Sequence, residues 1–178
     1  MKVLVVSGIW PPDVGGPASH APEVARFLHG RGHTVNVVIT ADQAPAAEAF
    51  PVHWVARSNP PGLRHLLGVK LIREKALGAD VVYTTGTFGR SSAGSVLAGR
   101  PFVVKLTADP AYERARRRGI TEMSIEEFQH GGGGLQIQLL RIARDQELRR
   151  AAHVITPSAY LRELAIEWGL SAGDVSVL

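Results

Sequence analysis

A glycine- and proline-rich loop follows the first predicted strand, and its spacing suits the binding of an anion. The loop, residues 8–17, contains Pro11-Pro12 and Gly15-Gly16 and leads into a predicted helix. Backbone amides at a helix N-terminus favour a phosphate, and paired glycines let ligand and backbone approach closely. We therefore predict that Gly15 and Gly16 contact an anionic group of a ligand. An ordinary strand-to-helix turn is the alternative interpretation.

The glycine spacing argues against two common nucleotide sites. A nicotinamide or flavin site carries G-x-G-x-x-G in a tight turn, whereas this loop is longer and lacks that spacing. Asp42, just after the second predicted strand, is where a ribose-binding acid would lie, but no glycine fingerprint precedes it. Gly-Lys-Ser and Gly-Lys-Thr are both missing from the sequence, which excludes a Walker loop.

Polar side chains also follow two later strands. Thr85 and Thr87 flank Gly86 after one strand, and their hydroxyls suit hydrogen bonds to a polyol; capping of the next helix is the alternative. Asp109 follows another strand, where a carboxylate can bind sugar hydroxyls or orient a reacting one. Because Pro110 comes next, Asp109 also fits an ordinary helix N-cap, and both roles can hold at once.

Histidine and cysteine usage argues against a metal site. His20 lies in the predicted first helix, just past the paired glycines, where it can face a ligand. His33 precedes the second strand, where a structural role is expected. The histidines show no His-x-x-x-His spacing backed by carboxylates, and the sequence has no cysteine. We expect no metal in this domain.

The charge of the chain admits anionic partners. The formal net charge is +4, and arginines form two clusters, within residues 114–118 and 141–150. Such clusters can bind a lipid phosphate or an anionic membrane surface, whereas a solvated basic face is the alternative. No nucleic-acid module accompanies the charge, so we expect no nucleic-acid partner. No apolar run is long enough to span a membrane, and we expect a cytoplasmic protein, with peripheral contact at the inner membrane face left open.

Strand and helix patterns alternate along the whole chain. Continuous β-branched and leucine runs, such as residues 3–6, are typical of strands buried on both faces. Helical stripes separate them, as in residues 17–30. This alternation predicts an α/β fold: a doubly wound, mostly parallel, Rossmann-like sheet with helices on both faces. Ligands on such sheets bind at the carboxyl ends of the strands, where the polar residues described above fall.

The longest helical pattern covers residues 135–152. Leu135, Leu139 and Ile142 predict its inner face, and its arginines predict the outer face. The preceding run, residues 131–134, consists of glycine and is typical of a hinge, with close approach to an anion as the alternative.

The order of these segments resembles the N-terminal half of retaining glycosyltransferases of family 4, which have the two-domain GT-B fold. That family opens with a strand, Pro-Pro, Gly-Gly, a helix and Arg-Gly-His-x-Val, as residues 2–35 do. Residues 79–83 resemble its Asp-Val-Val-His strand, and residues 151–158 resemble its Ala-Asp-x-Val-Ile-x-x-Ser segment, with His153 in place of the usual aspartate. Residues 175–178 resemble the strand before its link to the second domain.

This resemblance implies a division of labour between two domains. Residues 1–178 would form the acceptor-side domain, whose paired glycines, Gly15 and Gly16, face the donor diphosphate. The pocket for a UDP- or GDP-sugar would belong to a C-terminal domain outside these residues. The acceptor would be a polyol, glycolipid or polysaccharide. We expect this domain to hold no cofactor and to be inactive alone.

The resemblance also suggests roles for individual residues. Many family members carry a histidine near the transferred sugar, and this chain has Asp109 at that point. The local sequence is similar to a subgroup with Gly-Asp-x-x-Trp-Glu, with Ala108 for glycine and Tyr112 for tryptophan. Asp109 is therefore the candidate catalytic residue. The candidate acceptor-binding residues are His20, Thr85, Thr87 and Glu113.

Two other functions compete with the transferase. A stand-alone, non-catalytic module of the same fold would bind an anion or a sugar. A fragment of a nicotinamide-dependent oxidoreductase would share the fold, but the missing glycine fingerprint argues against it.

Overall fold

The computed structural model describes residues 1–130 and 132–178. Within them the chain forms seven strands and seven α-helices that alternate almost throughout. The strands are β1 (Lys2–Ser7), β2 (Thr34–Ala41), β3 (Val52–Ala56), β4 (Val81–Thr84), β5 (Phe102–Lys105), β6 (His153–Thr156) and β7 (Val175–Val177). The helices are α1 (Gly16–Gly30), α2 (Pro61–Ala76), α3 (Phe88–Ala98), α4 (Pro110–Arg117), α5 (Ile125–His130), α6 (Leu135–Arg149) and α7 (Ala159–Glu167).

All seven strands belong to one parallel sheet with the order β3-β2-β1-β4-β5-β6-β7. The chain moves outward from β1 to β3, returns through α2 and then continues from β4 to β7. The order therefore reverses between β1 and β4, which is the switch point where ligands bind on such sheets. The predicted Rossmann-like fold is confirmed, and the sheet is parallel throughout.

The two faces of the sheet carry separate cores, because successive strand residues point to opposite faces. Small residues on α1, including Ala21 and Ala25, pack on Val5 and Val37. On the opposite face Leu4, Val6, Val82 and Val104 pack against residues of α2, α6 and α7. Burying one such aliphatic side chain contributes about 1.5–3 kcal/mol to folding. The two cores fix the strand ends that carry the candidate site.

A third core joins α4, α5 and α6 beside β5, and it corrects the prediction for α6. Phe128 is fully buried there among Ala115, Ile137 and Leu140. Leu135, Leu139 and Ile142, predicted to face inward, are 51–70% exposed instead. Arg144, predicted to face outward, is 4% exposed. The buried face of α6 is instead the stripe of Ile137, Leu140 and Leu148, which also carries Arg144.

The strand predicted at residues 3–6 and the helices predicted at residues 17–30 and 135–152 agree with β1, α1 and α6 to within a few residues. The predicted glycine hinge starts at Gly131, outside the described residues, and Gly134 is the N-cap of α6. In the described part of the chain, no helix has both the length and the apolar character needed to cross a membrane.

Candidate functional site at the carboxyl edge of the sheet

The loops after β1 and β4 meet at the switch point. A Cβ atom on Gly8 would lie 3.1 Å from Cγ2 of Thr87, and one on Gly86 would lie 3.6 Å from the Gly8 nitrogen. The Thr85 amide donates to the Val6 carbonyl at 3.1 Å. The structure thus brings two of the predicted constellations, the glycine loop and the threonine turn, into direct contact.

Gly15 and Gly16 form the start of α1. Gly15 is the N-cap with a φ of 146°, a conformation that L side chains rarely adopt, and no side chain caps the helix. A Cβ on Gly15 would approach Ile9 Cδ1 to 3.2 Å, whereas Gly16 has open space. The first turn of α1 contains no acidic residue. This helix start is exposed, and its first turn carries no acidic side chain that would compete with a bound anion.

The rest of the glycine loop is held rigidly against the sheet. Trp10 is 2% exposed and belongs to the core beneath α1. Arg57, just after β3, donates to both oxygens of Asp13, at 3.3 and 2.5 Å, and also binds Asp42. The hydrogen bond from Arg57 lowers the pKa of Asp13, so this carboxylate stays charged. Asp42 therefore helps to fix the loop.

His20 contacts β4 next to the switch point. Its Nε2 atom lies 2.8 Å from the Tyr83 hydroxyl, within hydrogen-bond distance. Partial burial, and then the charge of Lys105, lower the pKa of His20. Burial raises the pKa of Tyr83 to about 12. Both groups are therefore neutral near pH 7, and the pair can offer hydrogen bonds without charge.

Thr87 has a strained backbone. Its φ is 53°, the left-handed conformation that is rare for a β-branched residue, and its side chain does not cap α3. Such strain persists only where the surroundings enforce it, often at a functional site. The capping alternative predicted for this residue is therefore wrong. Thr85, in contrast, is 6% exposed, and its hydroxyl donates to Ser7 at 3.4 Å.

Asp109 is an N-cap, as the alternative interpretation predicted. Its Oδ1 accepts hydrogen bonds from the backbone amides of Ala111 and Tyr112, at 2.8 and 3.3 Å. Its Oδ2 accepts from Arg144 and Gln129, both at 2.8 Å. The side chain of Asp109 is fully buried in this ion pair, and its contacts give it a structural role as the N-cap of α4.

The ion pair continues into a polar network next to β6. The Arg144 guanidinium lies 3.8 Å above the centroid of the Trp168 ring. The Trp168 indole donates to Gln129 Oε1 at 3.0 Å. Each member of this network satisfies another, as buried polar groups require. Glu113 lies outside it, exposed on α4, where its backbone amide donates to the Asp109 carbonyl at 3.0 Å.

Both arginine clusters take part in internal contacts. Arg149 donates to the Trp168 carbonyl at 2.9 and 2.6 Å, and Arg141 lies over the Phe128 ring. Arg114 approaches Glu147 at 3.8 Å. Arg116, Arg117 and Arg118 are exposed. Across residues 1–130 and 132–178, no three potential metal ligands come together.

Sequence reasoning missed Arg90 and the partners of Asp109. Arg90 lies in the first turn of α3, and its NH1 group donates to the Thr40 hydroxyl at 3.0 Å. Its position directly after the threonine turn is the sequence feature that could have identified it as a candidate site residue. Arg144 has no such signal, because an arginine on an amphipathic helix normally faces solvent.

Residues 15–178 match the family model described as "Glycosyl transferase 4-like domain". The chain belongs to this family. The match covers both the paired glycines and the strand that ends the described sheet. A search of curated protein sequences found no match.

Solved structures share the fold of this glycosyl transferase 4-like domain. HepE of Anabaena, in complex with UDP-glucose, has a TM-score of 0.65 and 19% identity over 100% of this chain and 43% of its own. Sucrose-phosphate synthase from Thermosynechococcus elongatus has a TM-score of 0.64 and 12% identity, covering 99% and 47%. The UDP-GlcNAc 2-epimerase from Methanocaldococcus jannaschii has a TM-score of 0.65 and 12% identity, covering 99% and 45%. The chain thus spans less than half the length of these proteins.

Proposed function

We propose that this domain is the N-terminal, acceptor-side half of a retaining GT-B glycosyltransferase. The enzyme would transfer a sugar from a UDP- or GDP-sugar to a polyol, glycolipid or polysaccharide acceptor. One observation carries the proposal: the loop that leads to the exposed glycine start of α1 packs through Gly8 against the strained turn at Thr87, where the strand order reverses, in a chain of this family. The ligands in the HepE complexes, UDP and UDP-glucose, support a nucleotide-sugar donor.

The open start of α1 suits the donor diphosphate. Gly15 and Gly16 present backbone without Cβ atoms, so a phosphate can approach closely, and the helix dipole attracts its charge. The sugar and base of the donor would bind to a C-terminal domain, and this half would hold no cofactor of its own. We also propose that the enzyme acts in the cytoplasm.

The acceptor would lie across the ends of β4 and β5. His20 and the Tyr83 hydroxyl form a neutral pair that can hydrogen-bond a hydroxyl of the acceptor. Thr87 offers a further hydroxyl from the strained turn. We assign Thr85 and Asp109 to positioning, because both are buried and hydrogen-bonded. Glu113 is exposed on α4 and can contact only the outer part of an acceptor.

The test compares this chain with a longer product of the same gene that includes a second domain. Both would be incubated with UDP-glucose, GDP-mannose and a panel of polyol and lipid acceptors, and products would be followed by mass spectrometry and by the anomeric NMR signal. We expect transfer with retention by the longer protein and none by residues 1–178 alone. Turnover by the short chain, or epimerised nucleotide-sugar as the product, would contradict the proposal.

Two glycine variants probe the diphosphate contact. Gly16→Ala introduces a methyl group into open space, so folding should be unchanged while transfer by the longer protein falls by about 10-fold or more. Gly30→Ala, at the other end of α1, also meets nothing within 4 Å and serves as the matched control. Equal activity of the two variants would remove Gly16 from the site.

A further inference from the structure

The face of the sheet that carries α1 is only half covered. Val3 and Val5 of β1 are buried beneath this helix. The register places Val81 and Tyr83 of β4 beside them on the same face, and it continues to Val103 of β5. These three residues are only partly buried, whereas the alternate residues of the same strands, which point to the other face, are fully buried. The cover that α1 provides therefore ends near β4.

The uncovered area extends to the edge of the sheet. Ile155 of β6 and Ser176 of β7 continue the same face, and both are partly exposed. Val103 and Ile155 belong to none of the three cores. The helices with the main contacts to β5, β6 and β7 are α3 and α7, and both lie on the opposite face. We call the area of Val81, Val103, Ile155 and Ser176 the open face.

The size and composition of the open face suit one helix. Parallel sheets in α/β proteins are covered by helices on both faces, because their strands are apolar on both sides. Val81, Val103 and Ile155 are β-branched side chains like those beneath α1. Adjacent strands lie about 4.8 Å apart, so β4 to β7 span about 14 Å, and a helix with its side chains is about 10–12 Å across. One further helix beside α1 would therefore complete the layer.

The polar residues of the same face indicate the chemistry of that helix. Lys105, at the end of β5, lies beside Ile155 and forms no ion pair in the described part of the chain. His153 and Ser176 satisfy each other, because Nε2 of the histidine lies 2.9 Å from the serine Oγ. The apolar centre therefore suits an amphipathic helix, and Lys105 suits an acidic side chain on it.

The chain that could supply such a helix lies outside residues 1–178. This chain spans 43–47% of the length of the three solved structures compared with it, so each has more than as much chain again. We propose that the open face binds an amphipathic helix from the part of the longer gene product that follows Leu178, with an acidic residue facing Lys105. The inference rests on the two-domain protein of the proposed function, but not on its sugar transfer.

This helix would also complete the proposed acceptor site. Val103 lies beside Tyr83 in register, and Tyr83 forms the neutral pair with His20. A helix over Val103 would therefore flank this pair. The second half of the protein would then contribute side chains to the acceptor as well as binding the donor.

Site-specific photo-crosslinking in the longer protein tests the inference. A diazirine analogue of lysine replaces Lys105, and the crosslinked peptide is identified by mass spectrometry after proteolysis. We expect a crosslink within one chain, to a peptide beyond Leu178 that has an amphipathic helical pattern and an acidic residue. The same analogue in place of Lys70, exposed on α2 at the opposite face, is the matched control and should not reach that peptide.

Three results would overturn the inference. One is the absence of a crosslink from position 105 to any residue after Leu178. Another is a crosslink between two copies, detected by mixing chains of different isotopic mass, which would assign the open face to a dimer. The third is a stop codon directly after the codon for Leu178, because no chain would then remain to supply the helix.

Thiol labelling measures the charge contact. Residues 1–178 contain no cysteine, so Ile155→Cys places a single thiol on the open face once any later cysteines are replaced by serine. Adding Lys105→Glu sets like charges opposite each other, and the rate of maleimide labelling should rise by about 10-fold. Adding Lys70→Glu, with the same change in net charge, should leave the rate unchanged. Equal rates in the two double variants would contradict the proposed contact.

Neither measurement needs a sugar donor. A crosslinked protein without transferase activity would contradict the proposed function alone. An active transferase that lacks the crosslink would contradict the helix on the open face alone.

Discussion

Two buried arginines of this domain differ in how completely their charge is neutralised. Arg144, beside β6, is paired with Asp109, bonded to its neighbours and stacked on Trp168. Arg90, at the switch point, donates to one hydroxyl and forms no ion pair among the described residues. The Asp109–Arg144 network is satisfied internally, whereas the β1–β4 side has the strained turn at Thr87 and the exposed start of α1. The difference separates residues that build the fold from residues available to a ligand.

The largest expected effect tests the satisfied side. Arg144→Met leaves the Asp109 carboxylate buried without its cation, so the free energy of unfolding should fall by about 3–5 kcal/mol. Urea unfolding followed by circular dichroism measures it. The double variant Asp109→Asn/Arg144→Met removes both charges. Its loss in free energy of unfolding should therefore be smaller than the sum of the losses in the two single variants. Additive effects would show that the pair is not coupled and would break the comparison with Arg90.

A smaller effect tests which face of α6 is buried. Leu140→Ala opens a cavity next to Phe128 and should cost about 2–5 kcal/mol. Leu139→Ala, on the 56% exposed neighbour, should change stability by less than about 0.5 kcal/mol. Both are measured in the same urea series. A larger loss of stability in Leu139→Ala than in Leu140→Ala would show that the inner face is the predicted one, with Leu139.

The smallest expected effect concerns pH at the open side. Burial lowers the pKa of His20 below its ordinary value of 6.5, so the unfolded chain takes up a proton at higher pH than the folded chain does. Stability is therefore complete above about pH 6.5 and decreases as the pH falls below it. His20→Gln should reduce the loss of stability between pH 7 and pH 5. His53, whose pKa burial also lowers, keeps part of the slope. If His20→Gln leaves the dependence of the free energy of unfolding on pH unchanged, His20 does not form the half-buried pair with Tyr83.

The sequence predicted the sheet well because its signals are local. Runs of β-branched residues, glycines after helices and a Ser158 or Asp109 cap mark the ends of elements without knowledge of the tertiary structure. The placement of the glycine loop and the threonine turn at the carboxyl ends of strands followed from the strand pattern of the sequence. The capping role of Asp109 could be predicted for the same reason, since it depends only on the residues that follow it.

The predictions that failed depend on contacts between distant segments. The inner face of α6 was misassigned because the helix carries two apolar stripes. The buried one, Ile137, Leu140 and Leu148, also carries Arg144, whose partner Asp109 lies 35 residues earlier in the chain. The sequence shows the charge of Arg90. It does not show that Arg90 has no carboxylate partner among the described residues, because that depends on every neighbour in the folded chain. The strained backbone of Thr87 is equally invisible, since threonine is not a residue that predicts a positive φ.

The bridge from Arg57 to Asp13 and Asp42 has a consequence for anyone who recombines such domains. One guanidinium links the loop after β1 to the segments after β2 and β3, across three separate stretches of chain. A glycine loop transplanted from a relative, or a shuffled β3, would separate carboxylates from their shared counterion. The loop is therefore not an exchangeable module, and a functional chimera must inherit all three segments from one parent.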